Sequence, residues 1–243
     1  GEVTPLQMAR GYSVLANGGY LVDPYFIDRV DGSREGVLML AEPRKVCLDC
    51  PEPVTGEFTA AKSDAPDTQD ETLSRHAPRV LSVENQYLMV SMMQDVIRRG
   101  TGTRARVLGR EDLAGKTGTS NDQRDAWFNG FQRSLVAIAW VGFDSFRPLG
   151  RKEVGGRVAL PAWIDFMRVA LKDVPEQGWD LPEGIVTVRI DPKTGKRAPA
   201  GTEGAVFEVF RKDRVPRSVS RDDFSAPAAS GGSGSETLTQ ELF

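Results

Sequence analysis

One ammonium, two hydroxyls and a bare backbone follow one another at Lys116, Thr117, Gly118 and Thr119. On an extended strand this quartet suits one kind of guest, a peptide that ends in a carboxylate. Lysine contributes a compact positive charge, and the threonines contribute hydroxyl donors. Gly118 has no Cβ and lets a second backbone come close. A strand edge also offers unpaired N–H and C=O groups, along which an extended peptide can add itself as a further strand. A solvated lysine beside a turn has the same spelling, so the meaning rests on the neighbouring elements.

Leu113 and Ala114 lead into the quartet, and residues 125–131 and 135–143 follow it, both rich in aromatic and β-branched side chains. With Gln132, Arg133 and Ser134 between them, they read as two antiparallel strands joined by a tight hairpin. A third strand carrying the quartet pairs with them and keeps one edge free. Upstream, Thr4 is a good N-cap and Pro5 a good first helical residue. Leu6, Met8, Ala9, Tyr12, Leu15 and Ala16 then recur at helical spacing until Asn17, Gly18 and Gly19. Residues 20–22 and 25–30 read as short strands, the second turning through 31–36 into 37–40 as a hairpin. Ser82 caps a second helix, with Glu84 in its first turn, Arg98 and Arg99 in its last, and Gly100 as its stop. Its apolar positions are Tyr87, Leu88, Val90, Met92, Met93, Val96 and Ile97, the methionines as core filling. Residues 101–106 read as a flexible polar loop.

After the three strands, 148–157 is a glycine-rich basic connection and 160–171 an amphipathic helix. Pro161 falls in its first turn, and Trp163, Ile164, Phe166, Met167 and Leu171 form its buried set. Residues 185–190 and 205–210 alternate as strands of a small appended hairpin, with a turn at 191–195. The polar stretch 41–78 reads as a partly disordered insertion and 211–243 as a disordered tail. The expected domains are therefore 1–40 with 79–172, then the 183–210 extension.

At 243 residues and 40% hydrophobic content, the chain can bury a real core. A net charge of −3 and a pI near 5.4 give no electrostatic case for nucleic acid or an acidic membrane surface. No apolar run reaches the roughly 18–20 residues of a membrane-spanning helix. The chain opens at Gly1 with a helix already starting at Thr4 and Pro5, which reads as a cut and not a natural start. Cys47 and Cys50 are the only cysteines and His76 the only histidine. Too few ligands converge for zinc, so no metal or cofactor is expected. The cysteines read as a local disulfide or as two inert thiols in a loop. Where a phosphate-binding loop ending in Gly115, Lys116 and Thr117 needs its first glycine, Arg110 stands instead. A serine triad lacks a placed histidine. Glu111 and Asp112 read as exposed loop charges.

Lys116-Thr117-Gly118-Thr119, with Asn121, Asp122 and Asp125-Ala126-Trp127-Phe128 after it, resembles the third active-site motif of serine penicillin-binding proteins. Glu2-Val3-Thr4-Pro5-Leu6-Gln7, Ala16-Asn17-Gly18-Gly19 and Arg98-Arg99-Gly100-Thr101-Gly102 extend the likeness to class A, the bifunctional peptidoglycan synthases. So do Trp140-Val141-Gly142 and Pro148-Leu149-Gly150, and the similarity runs from Glu2 to about Phe210.

The resemblance implies an α+β penicillin-recognising fold: a five-stranded antiparallel sheet packed by helices, incomplete here, with a small C-terminal β extension. It implies a D,D-transpeptidase that cross-links stem peptides through a serine acyl-enzyme, is trapped by β-lactams, and is coupled to a glycosyltransferase domain. It places the enzyme on the periplasmic side of the inner membrane, anchored by an upstream part. Lys116 would be catalytic and substrate-binding; Thr117, Gly118 and Thr119 would bind substrate. The chain departs from the family in one respect. No serine has a lysine three residues later, and no Ser-x-Asn occurs. Both motifs are expected upstream, and residues 1–243 alone are expected to be inactive. A β-lactamase or D,D-carboxypeptidase of the same fold, and a non-catalytic partner-binding module, remain alternatives.

Overall fold

The computed structural model describes residues 2–33, 36–47 and 76–218, and resolves into two compact units divided between Trp179 and Asp180. The first is built on an antiparallel sheet of β3 (Ala114–Thr119), β4 (Asp125–Gln132) and β5 (Leu135–Gly142), in that spatial order. Lys116 lies opposite Asn129, Thr117 opposite Phe128 and Gly118 opposite Trp127. A two-residue turn at Arg133 and Ser134 joins β4 to β5, with Gln132 paired to Leu135. β4 is the central strand and nearly all of it is buried, because helices cover both of its faces.

On one face lies α1 (Pro5–Ala16). Thr4 accepts from the Gln7 N–H while the Gln7 side chain accepts from the Thr4 N–H, so two orphan donors at the helix start are satisfied together. Phe131 packs edge-on against Tyr12 and Trp179 there, beside Ala16, Val90, Met93 and Ala114. On the other face lies α3 (Gly155–Ala170), whose Trp163 meets Phe128 at 4.9 Å between ring centroids. Leu113, Leu160, Ile164, Met167 and Leu171 complete this larger core. The third helix, α2 (Val83–Arg98), is capped by Ser82 and packs against β3 and α1.

Several expectations need correction. Pro161 sits in the interior of α3, because the helix begins at Gly155, well inside the stretch read as a connection. Phe166 is 53% exposed and Met92 is 56% exposed, whereas Ala159, Leu160 and Gln86 are buried. The Gln86 amide is tolerated inside because it donates to the Leu15 carbonyl at 2.5 Å. Residues 103–108 are not a loose loop but a 3₁₀ helix, with Ala105 fully buried under α3. Residues 20–22 form no strand; Tyr20 makes a single bridge to Arg79. The predicted hairpin forms with a shifted first strand: β1 (Arg29–Gly32) pairs with β2 (Gly36–Leu40), so 25–28 are not strand and Asp31 and Gly32, read as turn, are.

Asp112 is not an exposed charge. It is 3% exposed, in a two-pronged ion pair with Arg110 at 2.9 and 2.7 Å. Its carboxylate also accepts from the Gln177 N–H, while Arg110 donates to the carbonyls of Val174 and Pro175. Glu111 is exposed as expected.

Cys47 is disulfide-bonded, in favour of the first of the two cysteine readings; Cys50 lies outside the described residues. Most of the 41–78 insertion and residues 219–243 of the expected 211–243 tail lie outside them as well, whereas the start of that tail is structured, with a 3₁₀ turn at Lys212–Arg214 and a bridge from Ser218 to Arg197. Among the described residues, no helix is long and apolar enough to cross a membrane, and no cluster of three or more potential metal ligands occurs.

The second unit is a hairpin of β6 (Ile185–Ile190) and β7 (Val206–Arg211). Asp191 closes the turn after β6 by accepting from the Lys193 N–H and the Thr194 hydroxyl. Arg189 fastens the next loop through the carbonyls of Pro199 and Thr202.

Candidate functional site

The quartet lies on β3, an edge strand. Its inner side pairs with β4, and among the described residues no backbone hydrogen bond from outside the sheet reaches 114–119. The alternation of the strand separates its four side-chain positions. Lys116 and Gly118 share the face of Asn129 and Trp127, toward α1. Thr117 and Thr119 share the face of Phe128 and Ala126, toward α3.

Lys116 is exposed, and its Nζ donates to the Thr117 carbonyl at 2.9 Å. It stands at the end of an apolar groove of about 430 Å³ between α1 and α2, lined by Met8, Gly11, Tyr12, Leu15, Met89 and Met93. Behind it Asn129 is 4% exposed, and its Oδ1 has no hydrogen-bond partner among the described residues. Burial pushes the pKa of the neighbouring Tyr12 hydroxyl up, with the Asn129 amide pulling the other way.

Two contacts at the threonines were missed from sequence. Thr117 Oγ1 lies 2.7 Å from Thr101 Oγ1, and Thr119 Oγ1 accepts from the Gly155 N–H at 3.1 Å. Thr101 follows α2 in the stretch read as a flexible loop. Gly102 anchors that stretch by donating from its N–H to the Val96 carbonyl. Gly155 opens α3 where only glycine fits, since a Cβ there would sit 2.2 Å from the Trp127 carbonyl oxygen and 2.5 Å from that of Gly118. At Gly118 a Cβ would press on the Cβ of Trp127 at 3.2 Å, so its bareness serves the sheet's own packing too. No local periodicity in sequence announces either contact.

The turn leaving β3 is closed by a reciprocal pair. Ser120 Oγ donates to Asp125 Oδ2 and accepts from the Asp125 N–H, and Trp140 Nε1 donates to the other oxygen of Asp125. Asp122 and Gln123 take left-handed conformations, with φ of 57° and 54°. Gln123 then holds the loop before α3, its carbonyl accepting from the Leu149 N–H and its side chain from the Glu153 N–H. The arrangement flanks an unpaired strand border with an ammonium on one side and two hydroxyls on the other, and these groups can bind an extended chain bearing a carboxylate.

Residues 2–139 match the family model of the penicillin binding protein transpeptidase domain. The chain belongs to this family. Residues 181–223 match a second model, the C-terminal domain of penicillin-binding protein 1A. Among relatives, the chain is 46% identical to penicillin-binding protein 1A of Pseudomonas aeruginosa, over 89% of this chain and 29% of that protein. It is 38% identical to penicillin-binding protein 1A of Vibrio cholerae, over 97% of this chain and 30% of that one. The crystal structure of penicillin-binding protein 1A from Haemophilus influenzae superimposes with a TM-score of 0.74 at 37% identity, covering 89% of this chain and 33% of that chain. The chain thus spans about a third or less of the length of these penicillin-binding proteins. The antiparallel sheet packed by helices is the transpeptidase fold that the resemblance implied.

Proposed function

We propose that this chain furnishes the substrate-docking wall of a D,D-transpeptidase that cross-links peptidoglycan stem peptides. The observation that carries the reading is Lys116 to Thr119 on an edge strand whose outer border takes no backbone hydrogen bond among the described residues. In this reading the donor peptide lies along β3 as an added strand. Thr117 and Thr119 donate to its terminal carboxylate, and Lys116 adds positive charge from the other side of the strand border. Gly118 keeps the border low enough for backbone to meet backbone.

The nucleophile is a serine from a part of the polypeptide beyond these residues, since no serine here stands three residues before a lysine. Its Oγ attacks the carbonyl of the penultimate D-alanine, and the terminal D-alanine leaves with a proton as the free amino acid. The Thr119 N–H is one donor to the oxyanion, and loss of such a donor costs on the order of 10²–10³ in rate. The amine of a second stem peptide then takes the acyl group, forms the new amide and releases the serine. A β-lactam enters by the same route, but its opened ring remains attached. The intact protein also carries a glycosyltransferase domain and an anchor that holds these domains on the periplasmic side of the inner membrane.

The test is covalent labelling by a fluorescent penicillin. The intact protein labels stoichiometrically, Lys116→Ala in that protein labels at least about a hundredfold more slowly while staying folded, and residues 1–243 alone do not label. Near-normal labelling of Lys116→Ala removes the lysine from the mechanism. Labelling of residues 1–243 contradicts the external serine.

A further inference from the structure

We infer that Thr101 is a positioning residue for substrate recognition, setting the direction in which the Thr117 hydroxyl donates. The inference rests on the proposed docking of a carboxylate at β3 and adds a residue which that reading did not require.

A hydroxyl has one hydrogen to give and two lone pairs to receive with. A carboxylate can only accept, so a threonine that serves it must spend its single hydrogen outward. That hydrogen is best held outward when another donor already occupies the oxygen from behind. Thr119 has such a donor, because the Gly155 N–H at the start of α3 points at its Oγ1 from 3.1 Å. Among the described residues, Thr117 has no backbone N–H in that role. The group within reach of its Oγ1 is the Thr101 hydroxyl, at 2.7 Å. Between two free hydroxyls either can be the donor. A carboxylate at Thr117 removes that freedom: Thr117 must donate to the ligand, and Thr101 must donate to Thr117. The two hydrogen bonds then run in one direction and each polarises the other.

The surroundings hold Thr101 to this position. The Arg99 N–H donates to the Asp95 carbonyl, and those of Gly100 and Gly102 to the Val96 carbonyl, closing the end of α2 on both sides of Thr101. A Cβ at Gly156 would lie 3.0 Å from the Thr101 carbonyl oxygen and 3.5 Å from the Thr117 methyl carbon, so this helix start fits closely around the pair. Thr101 is itself exposed and contributes nothing to either hydrophobic cluster. Its removal therefore affects recognition far more than folding.

The experiment compares the second-order acylation rates of benzylpenicillin and its methyl ester on the intact protein, unaltered and as Thr101→Val, Thr101→Ser and Lys116→Ala. Thr101→Val is expected to slow acylation by the free acid about five- to tenfold, as loss of one hydrogen bond supporting a charged group implies. The same variant leaves the ester rate within about twofold, since the ester has no carboxylate for Thr117 to serve. Thr101→Ser restores the hydroxyl and the free-acid rate, and the melting temperature of all three variants stays near that of the unaltered protein. Equal free-acid rates in Thr101→Val and the unaltered protein overturn the inference while leaving the docking reading intact, provided Lys116→Ala still loses acylation. Equal losses on acid and ester, or no rescue by serine, reduce Thr101 to a structural part. Absence of acylation in the unaltered protein, or full acylation in Lys116→Ala, removes the docking reading and this inference with it.

Discussion

Removing the Asp112 carboxylate should loosen the root of β3. Arg110, Glu111 and Asp112 come just before that strand, and together they hold the segment 174–177. Asp112 takes two hydrogen bonds from Arg110 and one from the Gln177 N–H; Arg110 also donates to the carbonyls of Val174 and Pro175; the Glu111 N–H donates to Glu176. The side chains of the pair are 12% and 2% exposed, so solvent screens them little. Arg110 is held above its ordinary pKa chiefly by its hydrogen bonds to Asp112, and it stays charged if that partner is removed. In Asp112→Ala, a guanidinium loses its hydrogen-bonded counter-charge in a nearly dry site and keeps only the more distant Glu176, and breaking such a pair costs about 3 kcal/mol. Asp112→Asn keeps the volume and one acceptor, and is expected to cost roughly half as much. Urea unfolding followed by the fluorescence of Trp163 and Trp179 reads this directly. For a unit of this size, Asp112→Ala lowers the midpoint by about 1–2 M. A loss below about 1 kcal/mol would refute the reasoning, because only a solvated surface pair is worth so little.

Two further perturbations concern other contacts of the same sheet. Gly155→Ala forces α3 away from the Trp127 and Gly118 carbonyls and breaks the bond to Thr119. It should cost about 1–3 kcal/mol in thermal unfolding and slow acylation of the intact protein, and a variant as stable and as reactive as the parent would contradict the packing described. Tyr12, with its pKa raised above 10.0 by burial, holds its proton in the folded state at a pH where the unfolded chain releases it. Stability should therefore fall as pH rises past about 10, and Tyr12→Phe should flatten that part of a stability-versus-pH curve.

Much of the site's scaffold was legible because its signals are local. Thr4 and Pro5 announce a helix start through their own chemistry, and the strands at 125–132 and 135–142 show in runs of aromatic and branched residues. The quartet's place on a strand followed from those runs. What stayed hidden depends on partners distant in sequence. Asp112 looks like any loop acid until Arg110 folds back onto it and Gln177 arrives. Pro161 pointed to a helix start because proline is favoured there, yet α3 tolerates it one and a half turns or more inside. Phe166 belongs to the apolar stripe by spacing but lines an open cleft beside Ile138 and Trp140 of β5, at 53% exposure. Thr101 and Gly155 are short polar or bare residues in stretches without periodicity, and only the approach of α2 and α3 to β3 gives them a role.

The most direct test of the account is a crystal structure of the intact protein acylated by a penicillin. The account predicts the ligand's carboxylate within hydrogen-bond distance of both Thr117 Oγ1 and Thr119 Oγ1, its amide side chain running antiparallel to β3, and its ester bond to a serine outside residues 1–243. A carboxylate bound elsewhere, or a β3 border already paired with the protein's own backbone, would contradict it.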